Sequence, residues 1–154
     1  MSKKTTNHIY VIEDINEAIE VANQYSLAFE LCVKEHLNSY ISKKFIKMGS
    51  PVIVNGCLAC EIYLKVLLYK QGKTREGHNV KRLFKLLKVS QRDNIIKYIG
   101  GDNANFINDL KSISKGFVNA RYCYEKGKNV KIKLVFLSSL IKALKEETKM
   151  IDNV

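Results

Sequence analysis

A chain of 154 residues is long enough to bury a core as one domain, and 46% hydrophobic with 27% charged residues excludes a disordered polymer. One proline and eight glycines leave little material for the turns of a many-stranded sheet, so long helices are expected. A net charge of +11 points either to polyanionic partners, such as RNA, DNA or an acidic protein, or to solvated basic helix faces.

That charge is unevenly spread. Residues 1–63 carry six Lys/Arg against seven Asp/Glu, residues 64–98 ten against two, and residues 99–154 ten against six. The basic surface therefore begins where the most apolar stretch of the chain ends.

Residues 1–11 read as an N-terminal arm, basic but without the apolar run or cleavage site of a signal peptide, so a cytoplasmic protein is expected. Asp14 is an N-cap candidate with Glu17 three residues on. Ile15, Ile19, Ala22, Ser26, Phe29, Val33, Leu37 and Tyr40 then recur at helical spacing and predict one helix to about Lys44. Its other face carries Glu17, Glu20, Glu30 and Lys34, and His36 beside the stripe reads as a packed residue.

Met48-Gly49-Ser50-Pro51 breaks the pattern, and Pro51 suits the first turn of the next helix. That helix, about Val52 to Tyr69, is apolar almost all round and predicts the central buried spine. Glu61 and Lys65 form an i,i+4 pair that must satisfy itself or reach other polar groups, since an unpaired buried charge is costly. Together with Lys70 they interrupt the apolar run and argue against a membrane span. Of the cysteines, Cys32, Cys57, Cys60 and Cys123, the middle two make a C-x-x-C without the second pair or clustered histidine that a zinc or thioredoxin-like site requires. They are expected to be buried thiols, and nothing in the sequence calls for a metal or another cofactor.

Residues 71–77 form a loop without the spacing of a Walker phosphate loop. His78 to Leu87 predicts a short helix with Val80, Leu83, Phe84 and Leu87 inward and Lys81, Arg82, Lys85 and Lys88 outward. Gly77-His78 opens it, either with the ring packed and capping backbone groups or with the ring offered to a ligand. Ser90 reads as the cap of a helix over residues 91–99 that buries Ile95, Ile96 and Ile99 and stops at Gly100-Gly101. Asp102 or Asn103 starts a long helix to about Glu125 with Phe106, Leu110, Ile113, Phe117, Ala120 and Tyr124 as its core stripe. A last helix, about Lys131 to Lys149, follows a basic turn and buries Ile132, Phe136, Leu140, Ala143 and Leu144. The sum is an all-α, up-and-down bundle of five to six helices, one domain over residues 12–149 with a polar tail at 150–154.

Three segments together resemble a known family. The run from Ala59-Cys60-Glu61 to Leu68, the loop ending in Gly77-His78 with the Leu83/Leu87 helix, and Phe117 to Glu125, which reads F-V-N-A-R-Y-C-Y-E, are similar to HEPN domains of the branch that carries R-Y-x-Y-E. The likeness spans roughly residues 12–148. It implies a compact helical bundle, a homodimer, RNA binding or cleavage, and a defence or toxin–antitoxin setting with an antitoxin or other partner protein. The ribonucleases of the family carry R-x4-6-H. Here Arg75 precedes His78 by three positions, and Arg121 has Lys126 five positions on, where the histidine would stand. The usual ribonuclease route is therefore not expected, because lysine at its ordinary pKa is a poor base at neutral pH.

The candidate nucleic-acid contacts are Arg121, Tyr122, Glu125 and Lys126 at the end of the long helix, with Lys81, Arg82 and Lys85 on the short one. Arginine suits bidentate phosphate contact and tyrosine base stacking. Alternatively, Arg121 and Glu125 form an i,i+4 ion pair that fixes the helix end. Three functions stay open: a non-catalytic module binding RNA or a protein partner, a metal-independent ribonuclease toxin built on Arg121, Lys126 and either His78 or His36, and a structural dimerisation domain.

Overall fold

The structure, a computed structural model, describes residues 12–42, 49–74, 76–121 and 132–151. Among these residues it is an all-α helical bundle of six helices: α1 (Ile15–Ser42), α2 (Gly49–Tyr69), α3 (Val80–Lys85), α4 (Val89–Ile99), α5 (Asn103–Arg121) and α6 (Leu134–Ile151).

α1 starts where the sequence places its cap: Asp14 Oδ1 accepts from the backbone N–H of Asn16 at 2.8 Å and of Glu17 at 3.3 Å. Ala22, Ser26 and Phe29 are buried, but Leu37, expected in the stripe, is 54% exposed. Two successive steps of four residues from Phe29 advance well past a whole number of turns, so the stripe turns to half-buried His36 instead.

α2 is the spine, with α1, α3, α5 and α6 all packed on it. Buried residues cover most of its circumference, among them Val52, Cys57, Cys60, Tyr63, Leu64 and Leu67, each large side chain contributing about 1.5–3 kcal/mol, while Pro51, Asn55, Leu58, Ile62, Lys65 and Tyr69 form one half-buried to exposed stripe. α1 runs antiparallel to it: Tyr63 Oη donates to Asn23 Oδ1 at 2.6 Å near one end, and Asn55 Nδ2 lies 3.8 Å from Cys32 Sγ near the other. Gly56 lets α1 and α6 close in, since a Cβ there would stand 2.8 Å from Phe29 Cδ2 and 2.7 Å from Leu137 Cδ2. By length and composition α2 could cross a membrane, contrary to the expectation that its charges make the run too short. Two thirds of its most apolar window, 67%, is buried inside the bundle, which is what a core helix of this composition requires.

Of the remaining helices, α3, α5 and α6 pack on the spine and α4 packs on α6. α3 is capped by Asn79, whose Oδ1 accepts from Arg82 N–H at 2.9 Å, so the helix opens two residues later than the Gly-His reading places it. α4 begins before Ser90, with Lys88 at the N-cap position and no side-chain cap, and ends at Gly100 in the left-handed conformation (φ 76°). α5 is capped by Asp102 Oδ1 on Asn105 N–H at 2.8 Å, and its stripe of Phe106, Leu110, Ile113, Phe117 and Ala120 is buried as expected. The expected continuation through Tyr124 lies outside the described residues. α6 buries Phe136, Leu140, Ala143 and Leu144, and continues two residues beyond the expected Lys149. Phe84, Phe106 and Phe136 join α3, α5 and α6, with ring centroids 4.9 and 5.5 Å apart.

Candidate functional site around Glu61, His78 and Arg121

Glu61 is an acidic side chain on an otherwise apolar spine, and its carboxylate is only 5% exposed. Lys65, one turn further along α2, donates to Oε1 at 2.7 Å, the pairing the i,i+4 spacing predicts. A second partner comes from outside the helix. His78 Nδ1 lies 2.9 Å from Oε1 and 3.0 Å from Oε2. An ionised carboxylate has no proton to give, so Nδ1 carries the hydrogen, and in the neutral ring Nε2 is then the acceptor.

The loop that delivers His78 is held at several points. Lys73 N–H donates to Leu68 O at 2.9 Å, and Lys73 Nζ to Leu86 O at 2.8 Å. Gln71 donates to Gln91, which ties the loop to α4. Gly77 has φ 102°, in a region that side-chain-bearing residues rarely adopt, and it turns the chain so that His78 meets Glu61. Beyond it, Lys81 N–H donates to Ser114 Oγ at 2.9 Å, and Ser114 Oγ donates to Leu110 O at 3.1 Å, fastening the start of α3 to α5.

That fastening brings the His78 ring to Phe117 of α5, centroid to centroid 6.2 Å at a tilt of 49°. The Arg121 guanidinium carbon lies 5.4 Å from the same centroid, within cation–π range. Phe117 is itself 1% exposed, whereas the His78 side chain is 61% exposed and Arg121 is exposed. The buried ring is thus a shared support for an imidazole and a guanidinium from two elements. Arg82 and Lys85 are exposed on the adjacent α3, and Lys81 is half-buried.

Of the two roles left open for His78, the packed, backbone-capping ring is not what the structure has: Asn79 provides the cap, and the imidazole is an exposed group pinned to a buried carboxylate. Arg121 and His78, two candidates separated by more than forty positions, meet on one ring. Tyr122, Glu125 and Lys126 lie outside the described residues, and with them the Arg121–Glu125 ion pair. Sequence reasoning missed the Glu61–His78 contact. Its one signal was the cost of a buried carboxylate with a single partner, which called for a second donor without naming it.

The C-x-x-C is chemically quiet. Burial, and then the charge of Glu61, push the Cys57 thiol from 9.0 up to about 12, and burial pushes Cys60 up as well. Cys57 Sγ lies 3.9 Å from Ile113 O, a weak thiol contact across the core. Among the described residues, no three His, Cys, Asp or Glu side chains gather in a way that could hold a metal ion. No family model matches the chain, and no curated protein and no solved structure matches it.

Proposed function

We propose that this chain is a HEPN-like RNA-binding module whose contact face is formed by residues 71–74 and 76–79, α3 and the C-terminal end of α5. One observation carries the reading: His78, fixed by Glu61, and Arg121 converge on Phe117 beside exposed Arg82 and Lys85. Guanidinium and ammonium groups suit phosphates, and an exposed imidazole held in one orientation suits base stacking or a hydrogen bond to a 2′-hydroxyl. The family resemblance supports RNA over DNA. It also supports a cytoplasmic homodimer in a defence or toxin–antitoxin system with a partner protein.

The test is binding of a single-stranded RNA oligonucleotide followed by fluorescence anisotropy over a range of salt. If Lys81, Arg82, Lys85 and Arg121 each neutralise a phosphate, log K against log salt should have a slope of about −3. A doubly substituted R82A/R121A protein should flatten that slope by about 1.4. Unchanged affinity and slope in a folded double variant would remove this face from the binding site.

The Glu61–His78 contact favours a second reading, metal-independent cleavage of RNA. His78 Nε2 would take the 2′-hydroxyl proton while the 2′-oxygen attacks phosphorus and closes a 2′,3′-cyclic phosphate, and the 5′-oxygen would leave as a hydroxyl with a proton from water. Arg121, with Lys126 as its sequence neighbour, would face the charge on the phosphorane. Cleavage in the presence of EDTA, lost in His78→Ala and reduced in Glu61→Gln, would establish it. Intact RNA after prolonged incubation leaves binding alone.

A further inference from the structure

On the side of the bundle formed by α4 and α6, a cavity of about 370 Å³ opens between the two helices. Asn94 and Tyr98 line it from α4, and Ala143, Glu147 and Met150 from α6. The spacing of four residues on α4, and of four and three on α6, places the cavity along one face of each helix.

Its floor holds an under-partnered charge. Glu147 is only 6% exposed, and its sole polar contact among the described residues is a long one, Asn94 Nδ2 to Oε2 at 3.4 Å. A carboxylate can accept about four hydrogen bonds. Burial pushes the Glu147 carboxyl above its usual range, and the Asn94 bond only partly offsets that. Its neighbour Glu146 also lines the cavity but is 42% exposed and already paired with Lys149 at 2.7 Å. Lys97, the cation among the lining residues, makes no ion pair with Glu147.

We propose that this cavity binds an alkylammonium or alkylguanidinium group. The cationic head sits on Glu147 and beside the half-exposed Tyr98 ring, and the alkyl stem lies against Ala143 and Met150. Such a ligand supplies the charge that the buried carboxylate lacks, and aromatic and thioether surfaces accept its methylenes and its cation. The volume lies within the range of small-ligand sites. The same chemistry arrives as a free polyamine-like molecule or as a lysine or arginine side chain of another protein.

The two sources separate in one experiment on the full chain. Methyl resonances of Met150 and Ala143 are followed by NMR during titration with agmatine, with the capped tripeptide acetyl-Gly-Arg-Gly-amide, and with 1-butanol as an uncharged control. Agmatine should bind saturably with Kd of the order of millimolar, as expected for so few atoms. Glu147→Gln should weaken it about tenfold or more, the change expected when a charge-assisted contact becomes neutral. Glu146→Gln should change it by less than about twofold, as expected of an exposed pair. Tighter binding of the peptide than of agmatine identifies a protein side chain as the ligand, and the reverse order identifies a free amine. Absence of saturation by either cation up to about 50 mM overturns the proposal, because a fitted site should exceed that affinity. Equal shifts from 1-butanol, read on the unsubstituted protein, overturn it whether or not the Glu147 variant folds.

Discussion

Replacing Glu61 with glutamine separates the spine from the loop that reads it. The carboxylate is 5% exposed, and Lys65 beside it is 24% exposed, so the pair is neither fully buried nor solvated. Breaking a fully buried pair from one side costs about 3–5 kcal/mol. Here the Lys65 ammonium reaches water, and a neutral amide is cheaper to bury than a carboxylate. The loss should therefore be nearer that of one charge-assisted hydrogen bond, about 1–2 kcal/mol. That corresponds to a fall in Tm of about 2–8 °C for a domain of this length. His78 is 61% exposed, so its share of the coupling should be about 0.5–1 kcal/mol, the upper half of the range for exposed pairs. A double-mutant cycle of Glu61→Gln and His78→Ala, read by urea denaturation through tyrosine fluorescence since there is no tryptophan, isolates that term. Nitrogen chemical shifts of the His78 ring give an independent reading, with the Nδ1–H tautomer expected when neutral. Additivity within about 0.3 kcal/mol, together with the Nε2–H tautomer in the parent protein, would refute the contact on which the site is built.

Gly77→Ala should cost about 1–2 kcal/mol by urea denaturation, because φ 102° is strained for any side-chain-bearing residue even though the space around it is open. The same variant should shift the His78 ring signals, and unaltered signals would mean that the turn does not place the ring. At a pH below both values, a thiol at about 12 presents about a thousandfold less thiolate than one at 9.0, so Cys57 should resist iodoacetamide in the folded protein while half-buried Cys32 reacts. Mass spectrometry finding Cys57 alkylated as fast as Cys32 would contradict that burial. Glu147 has a native pKa raised above 4.5, so between 4.5 and the raised value the folded state holds more proton than the unfolded one. Stability contributed by this group is therefore full below that window and falls as pH rises through it. Melting curves should show Glu147→Gln gaining on the parent as pH rises from 4 to 7, and a gain that is flat with pH would place the carboxylate in solvent.

Much of the bundle was legible because helix periodicity and caps are local. Asp14 caps α1, Gly100 ends α4 in the left-handed conformation, and five of the six stripe residues of α5 fall in the core where spacing puts them. Where local signals competed, the reading slipped. Leu37 fits a spacing rule over one step but not over two, and Ser90 resembles a cap although α4 already begins at Val89. The site was legible only in parts. Arg121 and His78 could each be singled out as exposed or loop-borne polar residues, but their meeting depends on Gly77 and on Ser114 fastening α3 to α5. Neither the turn nor the fastening leaves a pattern in sequence spacing.

Glu61 sits where stability alone does not ask for a carboxylate. At a position only 5% exposed, an apolar residue of similar size is commonly as stable or more so than a buried ion pair. What a leucine there could not do is hold two donors from different elements, Lys65 from its own helix and His78 from the loop that follows it. Lys65 supplies a cation beside the carboxylate and makes its burial tolerable, which leaves the second set of lone pairs to orient the imidazole. The direction of dependence is therefore from core to surface. The spine fixes Glu61, Glu61 fixes the Nδ1 side of His78, and Phe117 sets that ring beside Arg121. A site built this way is rigid at its base and exposed at its tip, so substitutions at Glu61 or Gly77 should disturb ligand contacts that neither residue makes.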